Sequence, residues 1–422
     1  LAGPQNLAAR RTIQIKASPA RCVYKFGKTT GDPLADPHER RRMTQPILAT
    51  AQSIGKLKHV PTTFRIGALA LLRTQRGQLL FRLPDGREIL FRNAEPGPEA
   101  EIVIHDYSFI KRALAAGDVG FAEAYMDSQW STPDLTAVLQ FFSANFEAAG
   151  QLARGGVFVR WANMVRHLFN RNSKAGARRN IMAHYDLGND FYSKWLDPSM
   201  TYSSAMFESP NQSLQQAQQV KYKGICDRIN AGPSSSILEI GCGWGGFAEY
   251  AARHRGSKVT CLTISPSQRD YALARMQREG LSEQVDIRLE DYRDHVGLYD
   301  GVASIEMFEA VGESYWPSYF AKIFDSLKQG GKAALQIITI DDRLFESYRK
   351  RVDFIQRYIF PGGMLPGETA LKDQFAKAGL RHDGVHYFGQ DYARTCHEWS
   401  RTFNEKWDEI AELGFDEPFK RM

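Results

Sequence analysis

From about Phe64 onward, apolar and polar positions recur at regular intervals. The runs Ile66–Leu72, Gly77–Leu83 and Glu88–Phe91 read as strands, and Pro84-Asp85-Gly86 supplies a hairpin turn. Ala100–His105 is a further strand candidate, and helical periodicity follows at Ser108–Ala116, Gly120–Met126 and Pro133–Ala144. These elements predict a small α+β domain over residues 61–150. Farther along, strand patterns at Ser236–Ile240, Lys258–Ile264, Asp286–Leu289, Gly301–Met307 and Lys332–Ile340 alternate with helical patterns. The helices fall at Gly246–Arg255, Pro266–Glu279 and Trp316–Lys328. Such alternation predicts an α/β domain over residues 181–422, a doubly wound, mostly parallel sheet covered on both faces.

Composition narrows the picture. At 422 residues with 43% hydrophobic and 12% aromatic content, two folded domains plus tails are expected. No stretch reaches the roughly 18 uninterrupted apolar residues of a membrane-spanning helix. Cys22, Cys226, Cys242, Cys261 and Cys396 are scattered without C-x-x-C spacing, which argues against a disulfide framework or a metal site and for a reducing, cytoplasmic setting. The net charge of +6 is concentrated at one end: residues 1–42 hold nine Lys/Arg against Asp32, Asp36 and Glu39, and the remainder is neutral. A nucleic-acid surface is therefore disfavoured. Residues 1–60 are expected to form a disordered basic leader, with a native start at Met43.

Residues 151–180 read as a basic linker. Val157, Val159, Trp161, Met164, Val165, Leu168 and Phe169 stand among Arg154, Arg160, Arg166, Arg171 and Lys174. That pattern suits a helix in the interface of an anionic bilayer and equally a helix packed between two domains.

The first chemical signal is Ser236-Ile-Leu-Glu-Ile-Gly241-Cys-Gly243-Trp-Gly245-Gly246, where a strand ends and a helix opens. Glycines there let the backbone approach a ligand, and the helix N-terminus favours an anionic group. A dinucleotide site would place an acid about 20 residues later, but Leu262-Thr-Ile-Ser-Pro-Ser-Gln268 has none. In that stretch Ser265 is an N-cap candidate, Pro266 the first helical residue and Gln268 a capping-box partner, roles compatible with contact to a ribose. Glu290-Asp291-Tyr292 follows the third strand, where an adenine amino group could be met.

Together with three further blocks, this loop resembles the cyclopropane fatty acid synthase family, which includes the mycolic acid cyclopropane synthases and is built on the class I methyltransferase fold. The blocks are His184-Tyr-Asp-Leu-Gly-Asn-Asp-Phe-Tyr192 with Leu196-Asp-Pro-Ser-Met-Thr-Tyr202, then Met307-Phe-Glu309-Ala-Val-Gly312, and Tyr358-Ile-Phe-Pro-Gly-Gly363. The resemblance covers roughly residues 181–422. It implies a Rossmann-like catalytic domain that binds S-adenosylmethionine, with residues 61–150 as a smaller lipid-binding domain. Cofactor contacts would come from Tyr185, Tyr202, Ser203, Glu239, Gly241, Gly243, Gly245, Thr263, Ser265, Gln268, Asp291 and Tyr292.

The implied reaction adds a one-carbon unit to the double bond of unsaturated phospholipid acyl chains, forming cyclopropane fatty acids. The enzyme would act peripherally at the inner face of the membrane; a homodimer stays open. An alkene is a weak nucleophile, so the site must align it, exclude water and stabilise a cation. Tyr185, Tyr202, Phe207 and Trp244 are aromatic candidates for that task, with a core role favoured for Phe207.

Ring closure requires a base, in this family a bound bicarbonate. By motif its pocket falls at Ser204, Glu309, Gln336, the Ile338 backbone and Tyr392. Ser204 stands where many members have cysteine and Gln336 where they have histidine. Both still donate hydrogen bonds, but glutamine cannot become cationic. A methyl-branched unsaturated product is therefore the alternative; a small-molecule N-methyltransferase and an inactive lipid-binding protein are further ones.

Overall fold

The computed structural model describes residues 45–146 and 187–422, together with the backbone of residues 12–16. The basic linker at 151–180 and Tyr185 lie outside the described residues. Two compact units emerge: a larger one from residues 12–16, 187–350 and 355–414, and a smaller one from 45–146, 351–354 and 415–422.

The smaller unit runs β2 (Ile47–Leu48), α1 (Ala51–Gly55), α2 (Thr62–Leu71), β3 (Arg76–Arg82), β4 (Glu88–Arg92), β5 (Glu95–Ile104), α3 (Ser108–Ala116), α4 (Asp118–Met126), β6 (Trp130–Ser131) and α5 (Leu135–Ala144). Its sheet order is β2-β4-β3-β5-β6. The β3–β4 hairpin turns through Pro84–Gly86 as expected, closed by Leu83 N–H to the Arg87 carbonyl at 2.8 Å.

Ile66–Leu72, expected as a strand, is instead the body of α2. Its buried positions are Phe64, Gly67, Ala68 and Leu71, a helical i, i+3, i+4, i+7 set that a run of consecutive apolar residues conceals. The core of this unit also reaches into the span expected to be a leader. Ile54, Leu57 and Val60 are buried in the core with Phe64, Phe81, Phe91, Trp130 and Phe141, on elements too short to display periodicity.

The larger unit carries α6 (Asn189–Trp195), α7 (Leu214–Arg228), β7 (Ser236–Ile240), α8 (Gly246–Arg255), β8 (Lys258–Thr263), α9 (Pro266–Arg278), β9 (Val285–Leu289), β10 (Tyr299–Ile305), α10 (Trp316–Ser326), β11 (Leu327–Gln336), α11 (Asp342–Tyr348), α12 (Glu368–Lys377), β12 (Arg381–Val385), α13 (Gly389–Glu405) and α14 (Trp407–Ala411). A seven-stranded sheet of order β12-β1-β11-β10-β7-β8-β9 has every pair parallel. Here β1 is Thr12–Lys16, a strand within the expected leader.

Both sheet faces are covered, so adjacent residues of one strand enter different cores. Leu238 and Val302 pack with Tyr319, Phe320 and Phe375 on one side, whereas Ile237 and Ala303 pack with Phe247, Ala251 and Met276 on the other. The chain steps from β7 outward to β9, then returns beside β7 with β10. That reversal opens a crevice at the carboxyl ends of the strands, the usual binding place of such sheets. Two strands stop earlier than their apolar runs suggest, β10 at Ile305 and β11 at Gln336, and the freed residues supply the site.

A last helix, α15 (Glu417–Arg421), packs on α4 of the smaller unit, with the Arg421 guanidinium 5.2 Å from the Tyr125 ring centre. That unit is pinned internally by Asn145. Its side chain accepts from Gln75 and Arg76 N–H at 2.8 and 3.0 Å and donates to the Arg76 and Phe141 carbonyls, both at 2.9 Å. Asn145→Ala orphans these groups and is expected to destabilise this unit by about 2 kcal/mol or more. Hydrogen exchange of the β3 amides checks it: protection unchanged in the variant would contradict the assignment.

Candidate active site

The glycine loop leaves β7 and enters α8, hydrogen-bonded to β8 through Gly241 and Cys242 N–H, which both donate to the Leu262 carbonyl at 3.0 and 3.1 Å. Gly241 (φ +81°) and Gly243 (φ +54°) both adopt the left-handed region, but their free faces differ. A Cβ on Gly241 would lie 2.6 Å from Met307 Cγ, so that face is closed by protein. A Cβ on Gly243 would meet nothing within 4 Å. The second glycine therefore offers bare backbone to open space, which fits a ligand approaching the β7 end.

The neighbouring loop, after β8, caps α9. Ser265 accepts from Gln268 N–H at 3.4 Å with Pro266 in the first turn. The reciprocal half of the expected capping box is absent: the Gln268 carbonyl oxygen accepts the Thr263 hydroxyl at 3.0 Å, and Thr263 accepts from Ser265 N–H at 3.2 Å. Glu239 at the end of β7 is buried, and its carboxylate accepts from Cys261 Sγ at 3.5 Å; burial pushes it up to about 8. Ser203 is fixed from α7, its carbonyl by Gln218 at 2.9 Å and its hydroxyl by Lys221 Nζ at 2.6 Å.

Asp291, an expected cofactor contact, is ion-paired with Arg293. Its carboxylate holds the Arg293 side chain at 2.8 and 2.5 Å, while the guanidinium lies over the rings of Tyr292 and Tyr315. Tyr202 packs against Tyr192, Trp195 and Trp399 with ring centres 5.3–5.5 Å apart. Trp244 is buried and donates from Nε1 to Asn189 at 2.7 Å. Phe207 lies under the Arg394 guanidinium at 3.8 Å, and Arg394 also ties down the Ser209, Pro210 and Gln212 carbonyls, so a structural role fits it.

Ser204, Gln336, Ile338, Glu309 and Tyr392 are brought together, but around a residue absent from the expected set. Glu306 Oε1 accepts from Gln336 Nε2 at 2.6 Å and from Ser204 N–H at 3.0 Å, and Oε2 accepts from Tyr392 Oη at 3.3 Å. The fourth expected anion donor, Ile338 N–H, goes to Glu309 Oε1 at 2.5 Å. The Ser204 hydroxyl turns away to the Ala205 carbonyl at 3.1 Å, so its backbone and not its side chain serves the cluster. Gln336 also donates to the Ser204 carbonyl at 3.1 Å; two acceptors facing one amide nitrogen fix the side chain's orientation. Of the donors expected to hold bicarbonate, Gln336, Tyr392 and Ile338 N–H are thus already engaged by the chain's own carboxylates and the Ser204 hydroxyl by a backbone carbonyl, and this arrangement does not fit that ion.

The two glutamates differ in what surrounds them. Both keep some accessible surface while packed deeply enough that burial is the leading cause of their raised pKa values, as for side chains lining a cleft. Glu306 is pulled back toward ionisation by the Lys221 charge and by its three donors. Glu309 is pushed up to about 8, first by burial and then by the Glu306 charge, and its Oε2 is buried without a partner. Burial is thus opposed at Glu306 by a cation and three donors and reinforced at Glu309 by the neighbouring charge, so Glu309 holds its proton the more tightly of the two. Tyr392 is raised by burial and by the Glu306 charge, so it remains a donor.

Glu306 was not legible as a site residue because the apolar run Gly301–Met307 reads as one strand, with Glu306 inside it. The signal was available nonetheless: a charged side chain near the carboxyl end of an otherwise apolar strand, three residues before a second glutamate. Its backbone φ of +48°, rare outside glycine, is what ends β10 and turns the carboxylate toward Gln336.

Among the described residues no cluster of three or more His, Cys, Asp or Glu could hold a metal ion. The family model for mycolic acid cyclopropane synthetase matches residues 172–422. The chain is 34% identical over 384 residues to tuberculostearic acid methyltransferase UfaA1 of Mycobacterium tuberculosis, covering 88% of each. It is 37% identical over 325 residues to cyclopropane-fatty-acyl-phospholipid synthase of Escherichia coli, covering 76% of this chain and 81% of that one. The crystal structure of mycolic acid cyclopropane synthase CmaA1 complexed with SAH and CTAB aligns with a TM-score of 0.53 at 26% identity, over 58% of this chain and 89% of that one. A crevice at the strand ends, a bare glycine loop and a paired-carboxylate cluster thus coincide with these likenesses: the chain is an S-adenosylmethionine-dependent methyltransferase and belongs to the mycolic acid cyclopropane synthetase family.

Proposed function

We propose that this enzyme transfers a one-carbon unit to the double bond of unsaturated fatty acyl chains of phospholipids, acting peripherally at the cytoplasmic face of a membrane. The observation that carries the reading is the cluster of Glu306 and Glu309 at the carboxyl end of the sheet, where Gln336, Ser204 N–H and Tyr392 donate to one carboxylate and Ile338 N–H to the other. S-adenosylmethionine supplies a methyl group activated by a positive sulfur. The chain's own residues then have three tasks. The loop through Gly243 and the Ser203 segment hold the cofactor; the ring cluster of Tyr202, Trp195 and Trp399 presents aromatic faces to developing positive charge. The Glu306 carboxylate neutralises the cation left on the acyl chain and receives its proton.

For the membrane, two observations lend support. No helix among the described residues is long and apolar enough to span a bilayer. On α2, Ile66 and Leu69 stand about one turn apart with exposures of 51% and 42%, an apolar pair suited to a lipid surface.

Two products fit. Cyclopropane formation follows when the proton leaves the newly added methyl; the E. coli relative carries that activity in its name. A methyl-branched unsaturated chain follows when it leaves the acyl chain, and the replacement of a loose anion by a tethered one favours it. Cells expressing the protein and fed methyl-deuterated methionine separate them by mass spectrometry of their fatty acids. A product one methylene heavier that keeps two deuteriums and resists hydrogenation is the cyclopropane; one keeping all three that can be hydrogenated is the branched alkene. No heavier fatty acid at all would sink the proposal.

Two substitutions test the assigned roles. Gly243→Val places a side chain in the open face of the loop and is expected to abolish S-adenosylmethionine binding by calorimetry; ordinary affinity would remove the loop from the cofactor site. Glu309→Gln is expected to lower turnover by about 100-fold while sparing cofactor binding. Its stability should also show the buried acid. The folded carboxyl titrates near 8 but the unfolded one in the ordinary range, so between those values unfolding releases a proton and rising pH weakens the wild type. Glutamine has no proton to lose. The melting temperature of Glu309→Gln relative to wild type should therefore climb from pH 5 to pH 8, by about 2–4 °C per kcal/mol of relieved cost. A difference that does not vary with pH would contradict the raised value.

A further inference from the structure

We propose that Glu306 is the proton acceptor of the reaction, a base built into the chain where the family resemblance implies a bound bicarbonate, so that turnover proceeds without that ion. This rests on the reading of one-carbon transfer to an acyl double bond.

The hydrogen-bond inventory carries the inference. Oε1 of Glu306 receives two short bonds, from Gln336 and the Ser204 backbone, and its lone pairs are used. Oε2 receives one long bond, from Tyr392 at 3.3 Å, and keeps a lone pair with which to take a proton. Among the described residues the donors expected for a second anion are taken: Gln336 Nε2 is shared between Glu306 and the Ser204 carbonyl, Tyr392 is on Glu306, and Ile338 N–H is on Glu309. Bringing one in would also place it beside a charge of the same sign, at a cost that grows in a site poor in water. Lys221 on α7 is fully buried; burial lowers it to about 7, and its charged form favours the ionised form of Glu306.

The backbone agrees. At φ +48° Glu306 sits where glycine is ordinarily favoured, and the strain of holding a longer side chain there persists because its carboxylate is bonded from three separate elements. In the step itself, the alkene pair forms the new C–C bond to the methyl carbon as the C–S bond breaks and its electrons stay on sulfur. The neighbouring carbon becomes cationic. A C–H bond next to that centre, or on the new methyl, then breaks: its electrons close the double bond or the ring, and its proton goes to Glu306 Oε2. The acid formed returns that proton to solvent before the next turnover.

The test measures S-adenosylhomocysteine release and lipid product on vesicles of dioleoyl phosphatidylglycerol, using the full chain in carbon dioxide-depleted buffer with and without added bicarbonate. Wild type should turn over equally in both. Glu306→Gln, near-isosteric but not basic, should fall by about 100-fold or more and stay there when bicarbonate is added. Glu306→Gly relaxes the backbone and empties the pocket, so it should be inactive in depleted buffer and regain about tenfold or more with bicarbonate or formate. Calorimetric cofactor binding shows that each variant is folded, and Glu306→Gln alone suffices if the glycine variant is not. A wild type that stops in depleted buffer and recovers with bicarbonate overturns this proposal but leaves one-carbon transfer standing. Full activity in Glu306→Gln overturns it likewise. A wild type that yields no lipid product in either buffer overturns the transfer reading and this one with it.

Discussion

A negative charge taken out of water must be met by donors fixed in advance, and here that requirement organises the catalytic unit. Glu306 is compensated from three directions: the backbone at Ser204, the end of β11 at Gln336, and the first turn of α13 at Tyr392. None of these lies on β10 itself. The segment around Ser204 is in turn locked to α13, because the Thr395 hydroxyl accepts from Ala205 N–H at 3.0 Å and donates to the Asp391 carbonyl at 2.7 Å. Removing the charge would leave several donors facing one another, so the position of each element depends on the carboxylate as much as it depends on them.

The same charge sets the state of its neighbour. Two carboxyl groups in one poorly hydrated cleft do not both ionise at neutral pH, and the asymmetry of their surroundings decides which one does. Glu306 has Lys221 and three donors, while Glu309 has the Ile338 amide and a buried oxygen without a partner. Glu309 thereby holds its proton more tightly than Glu306. Lys221 also holds the Ser203 hydroxyl, so one buried lysine, lowered by burial to about 7, links the Ser203 segment to the surroundings of Glu306.

The layered α/β architecture was legible because strands buried on both faces read as short apolar runs: Ser236–Ile240 and Gly246–Arg255 coincide with β7 and α8. The helix α2 was not, since its apolar residues crowd the window until the period of 3.6 vanishes. Residues of the site were legible where family motifs name them, and Ser204, Glu309, Gln336, Ile338 and Tyr392 do converge. What a motif does not state is which atom acts. It left unseen that Ser204 contributes its amide and that Ile338 serves Glu309. Glu306 escaped because the end of a strand is set by a backbone torsion, and no pattern of apolar residues encodes a φ of +48°. Asp291 shows the opposite limit: its place after β9 was right, but its bond to Arg293 depends on two residues meeting side by side.

The torsion at Glu306 has an evolutionary side. Glycine would hold that conformation with no strain, and codons for glycine and glutamate can differ at a single nucleotide. A lineage carrying this fold can therefore pass between a tethered anion and a borrowed one in one mutational step, with the surrounding donors already in place for either. With Glu306 as the proton acceptor proposed above, dependence on dissolved carbon dioxide would follow the residue at this one position, while the sheet beneath it stays as it is.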